Sequence, residues 1–344
     1  MRSIRFPLVL ATMLATIACA SDRALAPTSG HAGQVSGIPA ELIADYTLVY
    51  LPGKGRAIAL NDSGDVVGTP LFGPGILWHG AAHDTTLLPI HPAAIANDGT
   101  VAGVIDGHAA TWKNGRVTIL DTATSVAFAI CKCETATVVG AVMVNGVSHA
   151  AIWVDGIRID AGVPPNSDLA EFVAIGGGFL VGNASFNVLN PSPGAPGYTE
   201  PYSWSPAEGW VRLRHGPVSD SRIVSINSHG VAVGMSIGPH EVRPIYFNVG
   251  AGTGEQEFPS NPSFSEMRPT GINDSERISA TGYYVSPDGF ISGIFKPLVS
   301  STSTAGIAVL PPGGTEATTA GINNAGVIAG NQGELEPAIW IPNP

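Results

Sequence analysis

One short block recurs along this chain, and the recurrence constrains the fold more than any other feature. Ile58-Ala59-Leu60-Asn61-Asp62-Ser63-Gly64-Asp65-Val66-Val67-Gly68 is one copy: apolar residues, Asn, two turn residues, Gly, then apolar residues before a last Gly. Other copies run from Ile95 to Gly103 in a shortened form, from Ser225 to Gly234, from Gly271 to Gly282 and from Gly321 to Gly330. Two copies have decayed. Cys131 replaces the Asn before Gly140, and Gly176-Gly177-Gly178 replaces the turn before Gly182, which brings the count to seven units. Each block is followed by an aromatic at the end of a second apolar stretch: Trp78, Trp112, Trp153, Trp204, Phe247, Phe295 and Trp340. A polar turn and a third apolar run, such as Thr86-Leu87-Leu88-Pro89, complete the unit.

Asn-x-x-Gly between two short apolar runs predicts a hairpin turn, because Asn and Gly tolerate positive φ at little cost. Each unit then reads as four strands, A to D, with the Asn turn joining A to B. From Tyr46 to Pro344 a unit occupies about 43 residues, within the ~40–50 of propeller blades. A single sheet of this kind cannot bury both faces, so neighbours must stack. The expected fold is all-β, a seven-bladed β-propeller with four-stranded blades. The seventh unit stops at Ile339-Trp340-Ile341 without a strand D, while a spare one, Tyr46-Thr47-Leu48-Val49-Tyr50-Leu51-Pro52, precedes the first unit. Tyr46 to Leu51 is therefore expected beside Ala338 to Ile341, so that the last blade is closed by the N-terminal strand and no edge is left open.

His108-Ala109-Ala110-Thr111-Trp112 and His149-Ala150-Ala151-Ile152-Trp153 resemble the His-Ala-Phe element of the HAF family of extracellular repeat proteins. The Ile-Asn-x-x-Gly blocks are similar to the second half of that repeat. Ala stands where the family has Phe, and five units lack the His. The resemblance, from Tyr46 to the C-terminus, implies export and β-repeats and no assigned activity.

Residues 1–20 read as a signal peptide. Arg2 and Arg5 precede the apolar run Pro7 to Ile17, and Ala18-Cys19-Ala20 offers a small-x-small cleavage site. Thr16-Ile17-Ala18-Cys19 also resembles a lipobox, so lipidation of Cys19 and ordinary cleavage after Ala20 both stay open. Residues 21–45 are rich in Pro, Gly, Ser and Ala, as suits a flexible tether, and residues 46–344 form the propeller. The expected location is outside the cytoplasm: secreted, or an outer-membrane lipoprotein touching the membrane only through Cys19. A formal net charge of −11 argues against nucleic acid, which needs a basic footprint. A hydrophobic content of 44% excludes disorder. With three cysteines in all, disulfides do not frame the fold; Cys131 and Cys133 read as a local disulfide or a free pair in preference to half of a metal site.

No motif establishes catalysis. Gly234-Met235-Ser236-Ile237-Gly238 fits G-x-S-x-G, but a nucleophile elbow needs a following helix and none is patterned. His79 and His83 fall on a Gly-containing turn and lack the zincin Glu, so they read as surface histidines. The Asn-Asp turns do not follow calcium-loop spacing. The phased tryptophans read as core between blades in preference to a sugar platform.

Strand order puts the B–C loops and D–A connections on one face, and these carry most of the larger insertions, a common mark of a binding face. Four residues before each aromatic stand Pro74, His108, His149, Glu200, Arg243, Ile291 and Glu336. His108, His149, Glu200, Arg243 and Glu336, with Tyr198 nearby, are the candidate ligand-binding residues. The expected function is a monomeric binding scaffold for a glycan or protein at the cell envelope, with no cofactor and no metal. The rival readings are a propeller glycan hydrolase or lyase using Glu200, Glu336, His108 and His149, and a purely structural envelope module.

Overall fold

The computed structural model describes residues 44–80, 82–131, 136–189, 197–213, 220–238, 242–258, 264–285, 291–302, 306–311 and 316–344. Among them the chain forms 28 strands and no helix. The strands pair as five four-stranded sheets and one of eight strands. Each four-stranded sheet but one is a run of consecutive antiparallel strands. The eight-stranded sheet is two such runs, joined by one parallel bridge between Val242 and Glu266.

The remaining sheet combines both ends of the described chain. Tyr46–Tyr50 pairs antiparallel with Glu336–Pro342, in the register Tyr46 with Pro342, Leu48 with Trp340 and Tyr50 with Ala338. Leu51 N–H donates to Pro337 O at 2.9 Å and extends the ladder. Tyr46 is buried with Leu310, Ile322, Ile328 and Trp340, so the strand brings apolar surface as well as hydrogen bonds.

The runs open with strands Gly55–Leu60, His91–Ile95, Ser125–Ile130, Leu169–Gly176, Asp220–Ile226, Phe264–Ile272 and Ala317–Ile322. Each of these contacts the next, and the last contacts the first. Every one carries a register shift at the same place, between Ala57 and Ala59 in the first and Thr319 and Gly321 in the last. Opposite the shift lies the terminal glycine of the block. A Cβ at Gly68, Gly103, Gly140, Gly182, Gly234 or Gly330 would come within 1.9 to 2.1 Å of a first-strand carbonyl oxygen. Close approach of backbone explains the glycine.

The same register corrects the sixth unit. Ala280, facing Pro269, holds the glycine position there, and Gly282 lies two residues beyond it. In the other units the residue two further along the third strand is the core aromatic, as Trp340 is after Ala338. In the sixth that residue is Ser300, two beyond Leu298. Phe295 therefore does not hold the aromatic position. It pairs with Tyr283, on an unusually long third strand, Ile291–Ser301.

The asparagines differ from the reading of them as positive-φ residues. Asn61, Asn227, Asn273 and Asn323 are buried and none has positive φ; Gly64, Gly99, Gly230 and Gly326 do, with Glu276 (φ 56°) in the corresponding place. Each asparagine side chain works at both ends. Its Oδ1 accepts from a main-chain N–H four residues on, at 2.9 Å. Its Nδ2 donates to a carbonyl of the next run: Asn227 to Asn273 (3.2 Å), Asn273 to Asn323 (3.0 Å), Asn323 to Asn61 (3.1 Å) and Asn61 to Ala96 (3.1 Å). Ala96, and not Asn97, holds the corresponding position in the second run. The paired positive φ values occur instead in two-residue hairpins such as Asn114-Gly115, Asn145-Gly146 and Asp155-Gly156.

Between runs the core is continuous. Trp78 and Trp340 are 1% and 0% exposed, and their Nε1–H groups donate to Pro52 O and Pro311 O, on the connection leading out of the preceding unit. Leu60 and Trp78 pack with Ala329 and Ile339, which joins the first run to the last. The tryptophans at these positions are core and not platform.

Candidate functional site

The candidate residues all lie near the start of a third strand, and each is held by its own sheet. His149 Nδ1 meets Asp160 Oδ1 at 3.0 Å, and Arg243 Nη1 donates to Glu257 Oε1 at 3.0 Å. Lys54 Nζ donates to Glu336 Oε1 at 2.7 Å, and His108 Nδ1 lies 3.0 Å from Ala123 O. Glu200 is buried, ion-paired to Arg212, with the Tyr202 hydroxyl at 3.5 Å. Burial, seconded by that carboxylate, raises the Tyr202 hydroxyl to about 12. Tyr198 stacks on Phe186 with ring centroids 5.0 Å apart. The partners of His149, Arg243 and Glu200 lie on the adjoining fourth strand and those of His108 and Glu336 a few residues beyond it, so these ionisable groups clasp the third strand to the fourth, while Tyr198 packs on the second strand. None of the five ionisable candidates contacts another in the described bonds, and Glu200 and Glu336 stand on different sheets.

The corrected register adds a sixth member. Lys296, four residues before Ser300, takes the place read as Ile291. It is fully buried, and desolvation lowers its ammonium despite the opposing pull of Glu316.

The other motifs are accounted for locally. Ser236 sits within strand Val231–Ile237, facing Arg243 and Ser221, not on an elbow. His79 Nε2 lies 2.9 Å from Thr86 Oγ1. No group of metal-ligating side chains occurs among the described residues. Cys131 is buried and disulfide-bonded. Cys133 and Cys19 lie outside the described residues.

Sequence reasoning missed a second set of groups. One residue before the residue that faces the glycine, the first strands carry Arg56, His91, Val126, Glu171, Arg222, Arg268 and Thr318. On strand Asp220–Ile226, Ser221 and Ile223 are buried while Asp220, Arg222 and Val224 are half-buried. On the other first strands the equivalent residue ranges from exposed, at Arg56 and His91, to buried, at Val126. Arg222 Nη2 lies 3.7 Å from Asp220 Oδ2, and Arg268 Nη2 lies 2.9 Å from Glu266 Oε2. The Nε atoms of both arginines are buried and have no hydrogen-bond partner. Glu171, facing Arg222, is raised to about 7 by desolvation, which outweighs the lowering by the guanidinium. The signal was present in the sequence, but it is in phase only once the register shift is known.

On the B–C loops, apolar tips stand in solvent: Leu71 and Phe72 (84% exposed) before strand Gly75–His79, and Val188 and Leu189 before strand Tyr198–Ser205.

No described protein family and no curated protein matches the sequence. Solved structures do match. The β-propeller domain of the trilobed protease from Pyrococcus furiosus, described as having an open Velcro topology, aligns with a TM-score of 0.58 at 10% identity. The alignment covers 85% of this chain and 94% of that one. The fold is a β-propeller. A puromycin-hydrolysing peptidase from Mycobacterium tuberculosis (TM-score 0.52) and dipeptidyl peptidase 4 from Porphyromonas gingivalis (0.50) also align at 10% identity. They cover 90% and 81% of this chain, which spans 54% and 50% of theirs. At such identity the likeness concerns fold alone.

Proposed function

We propose that this chain is an exported, closed seven-bladed propeller that acts as a binding scaffold, docking a glycan or protein on the face of its B–C loops and D–A connections. Taking the eight-stranded sheet as two blades gives seven. The single parallel bridge supports that division, as do the seven register shifts at one position. The cycle of contacts among first strands and the pairing of Tyr46–Tyr50 with Glu336–Pro342 support closure. We further propose that its repeats belong with the HAF extracellular repeats, on the His-Ala-Ala motifs and the Ile-Asn-x-x-Gly blocks of the sequence.

The observation that carries the binding reading is the exposure of Phe72, Leu71, Val188 and Leu189 on one set of loops. Large apolar side chains held in solvent on binding-face loops, here those of the first and fourth runs, commonly mark a contact surface. The hydrolase reading is weaker, because a carboxylate pair must stand within ~5–10 Å in one pocket, whereas Glu200 and Glu336 each hold a cation on separate sheets. A photo-crosslinking residue at Phe72, compared with one at Asn114 on the opposite face, tests the assignment in envelope preparations. Crosslinks at Asn114 only would reverse the face. A glycan array on residues 46–344 separates glycan from protein partners.

Export rests on residues 1–20 and anchoring on Cys19, both outside the described residues. Cys19→Ala is expected to move the protein from the membrane to the soluble extracytoplasmic fraction. Equal fractionation of wild type and variant would remove lipidation.

A further inference from the structure

We propose that the inner rim of the propeller is an oxyanion-binding site, in which Arg222 and Arg268 grip a carboxylate or phosphate group of the docked ligand, between Glu171 and Thr318 and with Arg56 and His91 farther round the same set of positions. The inference rests on the closed-ring reading, which turns equivalent positions on successive first strands into neighbours around one channel mouth. Strands Asp220–Ile226 and Phe264–Ile272 are in contact, and Arg222 and Arg268 occupy the same position on each. A guanidinium has five N–H donors in a fixed fork suited to planar oxyanions. The carboxylates Asp220 and Glu266 engage only the Nη2 end of each fork, and Nε of each is buried without a partner. The side chains as a whole are 43% and 31% exposed, so a ligand can reach each guanidinium elsewhere than at its covered Nε. Arg56 steadies itself through Nε on Glu334 O at 3.2 Å, and His91 is exposed at the equivalent place two runs on from the seventh. Asp220 and Glu266 already balance the charge of Arg222 and Arg268, so a ligand oxyanion competes with these two carboxylates for the guanidinium forks.

The test uses calorimetry on residues 21–344 at matched ionic strength, with inorganic phosphate, trigalacturonate and uncharged galactotriose as probes. Saturable binding of phosphate or trigalacturonate, absent for galactotriose and weakened about tenfold or more in Arg222→Gln/Arg268→Gln, is the expected result. Preference for trigalacturonate over phosphate assigns an acidic glycan; the reverse assigns a free or peptide-borne phosphate. Arg222→Lys/Arg268→Lys keeps the charge but not the fork, and is expected to recover only part of the affinity. Arg116→Gln on strand Arg116–Ile119 controls for general charge. No saturable binding, or equal binding by the Gln double variant with an unchanged melting temperature, overturns the proposal. If the double variant fails to fold, the Lys pair and Glu171→Gln decide: Glu171→Gln removes the carboxylate facing Arg222 and should tighten binding several-fold at pH 8. Crosslinking at Phe72 without anion binding would sink this inference and leave the scaffold reading standing.

Discussion

Asn323 donates its side-chain amide to the main-chain carbonyl of Asn61, a residue 262 positions earlier, at 3.1 Å. One hydrogen bond thus ties the last run to the first, while Asn323 Oδ1 holds its own turn through Val327 N–H. Replacing Asn323 by Ala leaves a buried carbonyl and a buried N–H unmatched, at a cost of about 1–3 kcal/mol. Denaturant titration measures this, and Asn97→Ala, an exposed residue of the neighbouring turn, should cost much less.

Adjacent to that bond, Asn324 N–H donates to Asp62 Oδ1 at 2.9 Å. Cysteines at both positions should therefore oxidise to a bridge between the two ends of the chain. Failure to form it under mild oxidation would count against ring closure. Deletion through Leu51 should lower the stability of the whole domain, whereas deletion of residues 21–44 should not.

Gly140→Ala should be among the most damaging single changes. Its Cβ would fall 1.9 Å from Val126 O, and both atoms belong to paired strands that cannot separate cheaply. A loss of about 3 kcal/mol or more follows from forced backbone displacement. An unchanged melting temperature would mean that the register shift is not rigid in solution.

Glu200→Gln should destabilise by up to about 3 kcal/mol, because Arg212 loses its buried counter-charge. The change should appear in unfolding experiments and not as selective loss of a hydrolytic activity.

The pH dependence has a definite sign. The Glu171 carboxyl is held above its ordinary value, at about 7 in the fold. The folded state therefore binds more protons than the unfolded one between the ordinary carboxylate range and pH 7, and stability falls as pH rises through that window. Glu171→Gln should flatten this slope. An identical profile in the variant would show that the carboxyl ionises freely.

Much of the fold was legible because it is written repeatedly. Strand D in front of strand A, read from Tyr46 to Leu51, and the phase of Trp78 and Trp340 both follow from counting apolar runs. The sixth unit misled because its third strand is longer: Phe295 offered an aromatic at the end of an apolar stretch, while Ser300 holds the place. Asn61 and its counterparts were assigned to turn geometry, since a side chain that reaches the neighbouring run leaves no mark in local pattern. Arg222 and Arg268 stayed hidden for a related reason. Their common position is measured from a register shift, which adds a residue to one strand and is silent in the sequence. The ionisable groups before the aromatics were found, but the partner that occupies each lies about a dozen or more residues away.

Ala96, Cys131 and Gly176 have no side-chain amide to pass on, so the asparagine relay stops at Ala96 and resumes at Asn227. The pairing of Tyr46–Tyr50 with Glu336–Pro342 changes what that gap means. With both ends of the described chain held in one sheet, two runs that slip apart remain at high effective concentration and re-form quickly. Drift at these three turns is therefore tolerated where the same drift in an open array would let units peel away. Cut the terminal pairing, and the unrelayed arc from Ala96 to Gly176 becomes the part of the molecule least able to survive on its own.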